Sequence, residues 1–251
     1  MKEISKNIQK EFGSFIGRLF RTQFGKGPES VYVTINESYV SIYLGNFLSP
    51  LEKALLDQHE ERVVHQTRDI ILQKLLPEIS EQFEREAGMK IEAFYYDWNL
   101  ENRSGMILGR LSEGGNPFSG TEDYEGKRQA EELMASISER IQKRPMSIES
   151  LKLNQRILLI KRSGVLTMLE RELMETDMKE NLRYTKKKLE RTILFNNAFN
   201  FESILNQKVD DIFVDWDFSK DISKVLIILH AKRINTAGNQ ARVYKSHAGE
   251  K

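Results

Sequence analysis

The chain is written twice, and that constrains its fold more than any motif. Residues 33–110 overlie 151–228 without a gap when shifted by 118 positions. Identical pairs include Asn36/Asn154, Ile42/Ile160, Leu51/Leu169, Glu52/Glu170, Phe83/Phe201, Asp97/Asp215 and Trp98/Trp216, so both tryptophans of the protein are among them. Solenoid repeats run about 20–50 residues. This repeat is much longer and reads as two copies of one domain, each of about 110 residues, large enough to bury a core without covalent staples.

Hydrophobic spacing assigns the elements. Ile4, Ile8, Phe12, Phe15, Ile16, Leu19, Phe20 and Phe24 recur at helical intervals, which predicts an amphipathic helix over 3–24. Gly25-Lys26-Gly27-Pro28 ends it. Alternating Val31, Val33 and Ile35, a polar turn, and Tyr39 to Leu44 form a hairpin. Ser49 is a candidate N-cap, with Pro50 at the first helical position and Glu52 at the third, before a short helix over 50–56. A long helix over 60–87 follows. Its Pro77 is expected to kink it, and Gly88 to stop it. Residues 90–96 and 104–111 read as a second strand pair that turns through 97–103.

The second copy opens with a helix over 122–143, offset by 117 (Phe20/Ile137, Pro28/Pro145). The expected fold class is therefore α+β: two tandem α-β-β-α-β-β units, with antiparallel sheets covered by long helices. Pseudo-twofold pairing would make the chain a fused homodimer. The division is a first domain over 1–112, a linker over 113–121, a second domain over 122–232 and a polar tail over 233–251, which lacks the pattern of a packed segment.

Composition removes several chemistries. There is no cysteine, so thiolate zinc sites, iron–sulfur clusters, disulfides and cysteine nucleophiles are excluded. A formal net charge of +1 gives no global pull toward nucleic acid. No apolar run is long enough to span a bilayer, and Met1 to Lys6 lacks a signal-peptide core, so a cytoplasmic location is expected. His59 and His65 are six apart and do not share a helix face, and their counterparts are Asp177 and Arg183. The histidines are therefore read as surface residues rather than metal ligands. Neither a Ser–His–Asp arrangement nor a Gly-x-Ser-x-Gly elbow is present.

Few residues remain as site candidates. The duplicated Asp97-Trp98 and Asp215-Trp216 read either as paired carboxylate sites or as tryptophans capping the core beside a turn-forming aspartate. Because both copies keep them, the structural reading is preferred. The same reasoning makes Glu52 and Glu170 helix N-terminal carboxylates, and Leu51 and Leu169 core residues. Gly25, Lys26, Gly27 and Pro28 could hold an anion on backbone N–H groups, but they lack P-loop spacing, and the second copy keeps only Lys143 and Pro145 of this turn. The first helix and its turn carry Lys2, Lys6, Lys10, Arg18, Arg21 and Lys26 against Glu3 and Glu11, a net +4 that suits an anion, a partner or a membrane surface. The second copy's helix is not basic in this way, with Glu122, Asp123, Glu125, Glu131, Glu132 and Glu139.

The glycine turn, the hairpin, Leu48-Ser49-Pro50-Leu51-Glu52-Lys53 and Leu75-Leu76-Pro77-Glu78 together resemble the MpsC family, whose name refers to a sodium-translocating, membrane-potential-generating system. The match is close over about 5–110 and divergent in the second copy, where Leu166-Thr167-Met168-Leu169-Glu170-Arg171 lacks the proline and the glycine turn is gone. The resemblance implies a bacterial protein associated with a membrane system, with no established catalytic residues and no cofactor. The expectation is a non-enzymatic accessory protein with protein partners and peripheral membrane contact. The alternative is a small-ligand or anion-binding module using Lys26 and Lys143 at the cleft between the units. Nucleic-acid binding is a third and weaker option.

Overall fold

The computed structural model describes residues 6–112, 118 and 124–231. The tail over 233–251, and the linker over 113–121 apart from Phe118, lie outside the described residues. The first unit runs α1 (Lys6–Phe24), β1 (Ser30–Ile35), β2 (Tyr39–Gly45), α2 (Pro50–Asp57), α3 (Glu61–Ala87), β3 (Ile91–Asn99) and β4 (Ser104–Leu111). The second runs α4 (Lys127–Ile141), β5 (Ser147–Asn154), β6 (Ile157–Ser163), α5 (Met168–Met174), α6 (Lys179–Asn196), α7 (Ala198–Leu205), β7 (Val209–Asp217) and β8 (Ile222–Leu229). Each unit folds one four-stranded antiparallel sheet, ordered β1-β2-β4-β3 and β5-β6-β8-β7. The class is α+β, as the repeat implied.

Strand alternation sorts side chains onto two faces. Val40, Ile42 and Leu44 of β2, with Tyr96 and Trp98 of β3 and Ile107 of β4, pack under α1 and α3 against Phe12, Ile16, Phe20, Leu72, Ile79 and Phe83. Leu158, Ile160, Ile212, Val214, Val225 and Ile227 do the same under α4, α6 and α7. The opposite faces meet each other: Tyr39, Tyr95, Met106 and Leu108 of the first sheet pack on Leu151, Leu153, Ile157, Leu159, Phe213, Leu226 and Ile228 of the second. The result is a four-layer α/β/β/α arrangement with its third core between the sheets. Each fully buried aliphatic or aromatic side chain there contributes about 1.5–3 kcal/mol, so the two units are joined by a core of their own.

The helix starts form as the sequence predicts. Ser49 Oγ accepts from the Glu52 N–H, and the Glu52 carboxylate accepts from the Ser49 N–H at 2.7 Å. Thr167 and Glu170 close the same box on α5. The duplicated glutamates have a second task that spacing alone did not reveal. Glu52 also receives the fully buried Arg68 at 2.7 Å, whose guanidinium lies 4.5 Å from the Phe47 ring centroid and 5.1 Å from that of Trp98. In the second unit Lys186 takes the place of Arg68. It donates to Glu170 at 2.6 Å and sits 4.2 Å over the Trp216 ring. A carboxylate, a cation and a tryptophan thus recur as a set in both cores.

Several expectations are corrected. Leu51 and Leu169 are not core residues; they are 71% and 69% exposed, because at the second helical position they face away from the capping glutamate. Asp97, Trp98 and Asn99 belong to β3, not to a turn. The helix containing Pro77 runs unbroken from Glu61 to Ala87, whereas its proline-free counterpart is interrupted at Asn197. There the Asn197 side chain donates to the Ile193 carbonyl at 2.8 Å, competing with the backbone ladder. The second unit's first helix is shorter than expected, Lys127–Ile141.

Burial raises the Glu52 pKa, but Arg68 and the Ser49 N–H outweigh it and hold the carboxyl below the ordinary range. Glu52→Ala therefore strands a buried guanidinium and is expected to cost about 3–5 kcal/mol, measured by denaturant unfolding. Ser49→Ala should cost only about 1 kcal/mol.

Candidate functional site

The most charged buried region lies where the two units meet. β3 and β7 are both edge strands, so each has N–H groups that no neighbouring strand satisfies. The edges lie side by side and are closed by side chains. Asp97 accepts from the Val214 N–H at 3.0 Å, and Asp215 accepts from the Tyr96 N–H at 2.8 Å. These bonds exchange under the repeat offset, since 96 corresponds to 214 and 97 to 215. That reciprocity is what pseudo-twofold pairing requires. The identical Asp97/Asp215 pair is thus preserved by the contact between copies rather than by a turn within each.

Helix α6 neutralises the pair. Arg183, Lys187 and Arg191 are four residues apart and share one face. Arg183 binds Asp215 at 2.9 Å, and Arg191 binds Asp97 at 3.0 Å and the Trp98 carbonyl at 2.8 Å. Lys187 stands between them, 3.2 Å from Asp215, 3.5 Å from Asp97 and 2.6 Å from the Tyr96 carbonyl. Burial raises the Asp97 pKa, but Arg191 and Lys187 outweigh it and the carboxyl titrates below its usual range. Burial lowers that of Lys187, and Asp215 and Asp97 more than compensate, keeping the ammonium charged. Asp215 is the main reason the Arg183 pKa is raised.

The first unit supplies different chemistry at the equivalent positions. His65, Asp69 and Gln73 replace Arg183, Lys187 and Arg191. Asp69 accepts from Trp98 Nε1 at 2.8 Å, with burial pushing its pKa up, and Gln73 donates to the Tyr96 hydroxyl at 3.3 Å. His65 packs edge-on against Tyr184, with ring centroids 5.3 Å apart. It is half-buried, which corrects its reading as a surface residue. Burial, aided by Arg191, Lys187 and Arg68 and opposed by Asp97, lowers its pKa to about 4. His59 and His230 are exposed, and His247 lies outside the described residues.

A cavity of about 330 Å³ opens beside this seam, lined by Glu61, His65, Asn99, Leu100, Lys188 and Arg191. Its two cations are already engaged, Lys188 with Glu61 at 2.7 Å and Arg191 with Asp97. A ligand there must compete with those carboxylates. A wider groove of about 820 Å³ lies between α4 and β5, where Arg128, Glu131, Glu132, Arg144, Met146 and Ile148 contribute to its walls. No group of three or more His, Asp or Glu side chains suited to a metal ion occurs among the described residues.

The other sequence candidates are separate from the seam. Arg18, Arg21 and Lys26 are exposed on α1 and its turn, and neither they nor Lys6 and Lys10 form an ion pair among the described residues. Gly25 adopts φ +71, and a Cβ on Gly27 would lie 3.0 Å from the Gly17 carbonyl and 3.1 Å from Arg21 Cβ. The glycine turn therefore lets the chain fold back closely against the last turns of α1 at Gly27. Pro28 is buried and Pro50 exposed. Lys143 is exposed and lines neither of these two cavities.

A sequence profile of the family described as the Na+-translocating membrane potential-generating system (MpsC) matches residues 5–113 and again residues 128–231. The chain belongs to the MpsC family. The double match is the internal repeat seen from outside, one MpsC unit for each sheet. No curated protein and no solved structure matches the chain. No helix among the described residues is long and apolar enough to cross a membrane.

Two outcomes test this seam. Asp215→Ala uncovers the Tyr96 N–H and leaves Lys187 and Arg183 short of a partner, so a loss of about 3–5 kcal/mol is expected by denaturant unfolding. His65 is lowered on folding, so it favours the folded state above pH 6.5. That contribution is lost as pH falls from about 6.5 to about 4. His65→Gln should flatten the acid limb of the stability–pH curve, with a difference on the order of 2–3 kcal/mol by pH 4.

Proposed function

We propose that this MpsC protein is a non-enzymatic accessory component of a bacterial membrane cation-translocating, potential-generating system, acting from the cytoplasmic side and docking on its partner through the first unit. Family membership supports the association with such a system. The observation that carries the docking face is the set of exposed cations on α1 and its turn, Lys6, Lys10, Arg18, Arg21 and Lys26, which form no ion pair among the described residues. A basic surface of this kind favours acidic protein loops or anionic headgroups. The second unit's first helix, α4, balances Lys127, Arg128 and Arg140 against Glu131, Glu132 and Glu139, and Arg144 beyond its end is tied to Glu132 at 2.7 Å. Its role in this reading is to bury the first unit's free sheet face and edge strand. Leu51 and Leu169, kept in both units though largely exposed, add apolar anchors at symmetric positions.

A second reading, a small-ligand regulatory module, is favoured by the 330 Å³ cavity beside His65 and Arg191. Stabilisation of the protein by an anionic metabolite in a thermal-shift screen, abolished by Arg191→Gln, would support it.

The accessory reading is tested in a deletion strain. Loss of the gene should lower membrane potential and sodium tolerance, and the native chain should restore both. A triple variant, Arg18→Glu, Arg21→Glu and Lys26→Glu, should restore neither, while its unfolding midpoint stays within about 0.5 kcal/mol of native because the sites are exposed. Unchanged membrane potential in the deletion strain would defeat the proposal.

A further inference from the structure

The core between the sheets is asymmetric in a way the repeat makes visible. Three positions at one end, Met106 of β4, Ile157 of β6 and Phe213 of β7, are apolar members of the shared cluster, with Tyr43 edge-on to Phe213 at 6.1 Å. Their equivalents at the other end are Lys224, Tyr39 and Tyr95. All three differ together, so a buried apolar triad has been exchanged for a lysine between two tyrosines. Lys224 is only 2% exposed, and its Nζ lies 3.6 Å from the Tyr95 ring centroid and 5.0 Å from that of Tyr39.

The other buried cations of the described residues, Arg68, Arg162, Lys186 and Lys187, each have a carboxylate within 4 Å; Lys224 has none. The groups facing it are known from every element around it. Within its own sheet, Lys161 of β6 and Asp215 of β7 flank it in register, with Asp217 further along β7. From the facing sheet come Tyr39 of β2, Tyr95 of β3 and Arg110 of β4. Asp215 is committed to Arg183 and Lys187, and Asp217 to Lys220 at 3.2 Å. Arg110 pairs with Glu92 at 2.6 Å and Lys161 with Glu149 at 3.0 Å, so the cations near Lys224 have their own partners and it does not.

We propose that this end of the sheet-to-sheet contact is a proton-sensitive latch: closed, it holds the Lys224 amine uncharged between Tyr39 and Tyr95, and any opening that exposes the amine captures a proton. Aromatic faces stabilise an ammonium, but by only about 0.5–2 kcal/mol each, against the cost of burying a charge without a counter-ion. Burial, with Arg110 and Lys161 adding to it, lowers the pKa to about 7, and Tyr95 is pushed up to about 12 and stays protonated. An exposed lysine titrates near 10.4. Between those values, opening takes up one proton, so the open-to-closed ratio rises about tenfold for each pH unit lost and levels off below pH 7. The closed contact is thus tightest at alkaline pH. This inference stands independently of the docking reading.

The test compares the native chain with Lys224→Met, which installs the residue the repeat already carries at the equivalent site. Amide hydrogen exchange in β2, β3 and β8, corrected for intrinsic rates, should show opening that increases about tenfold from pH 9 to pH 8 in the native chain. The variant should show no such dependence and stronger protection at pH 7. Equal pH slopes in the two proteins would overturn the proposal. Direct NMR titration of the Lys224 Nζ in the native chain decides the matter if the variant does not fold: an amine neutral at pH 9 supports the latch, and one still charged there removes it.

Discussion

Two sheet edges that would otherwise be open are closed on each other by two carboxylates, and the rest of the assembly depends on that closure. A bare edge strand presents unpaired N–H and C=O groups and invites aggregation. Here β3 and β7 use no backbone ladder to cover one another. Asp97 and Asp215 reach across reciprocally, and Lys187, Arg183 and Arg191 of a single helix cancel their charge. Buried charges of this kind add little net stability over an apolar contact, but removing one partner is costly. What they supply is direction: each aspartate accepts from one particular N–H group of the opposite unit.

The same closure explains how the copies diverged. The aspartates are identical because each unit presents the same edge to the other, and the tryptophans because each caps the core of its own unit beside a buried cation. The helix that neutralises the seam needs to supply its charge only once. The second unit therefore carries Arg183, Lys187 and Arg191, and the first unit is left with His65, Asp69 and Gln73. The shared core between the sheets diverged likewise, apolar at the Met106 end and amine-bearing at the Lys224 end. A homodimer would have to repeat every change on both sides. The fused chain is free of that requirement, and its two faces have become different: basic on α1, charge-balanced on α4.

Much of this was legible in the residues. Hydrophobic periodicity and turn chemistry fixed the order of elements, and Ser49 to Glu52 announced a capping box that forms as read. The failures share a cause. Repetition points Leu51 and Leu169 toward the core, yet repetition does not say which way a side chain faces, and both are largely exposed. Aspartate favours turns in isolation, which suggests a turn at Asp97, while its partner, the Val214 N–H, is 117 residues away. His65 has no pattern to mark it, and only the packing of α6 and Tyr184 against α3 makes it half-buried. The pairing of Glu52 with Arg68 had a usable signal, since Glu170 and Lys186 keep the same spacing and the same charges.

By itself, then, the sequence determined that there are two units, what elements each contains, which residues cap the helices, and that the chain belongs with MpsC proteins. Those follow from local geometry and from comparing one half with the other. Only the tertiary structure decided that the sheets stack on their second faces, that the aspartates bind the opposite unit, and that Lys224 is enclosed without a counter-ion. The reason is physical: strand period and helix period specify what a segment buries, but the charge state and partner of a buried group depend on what arrives from the other half of the chain.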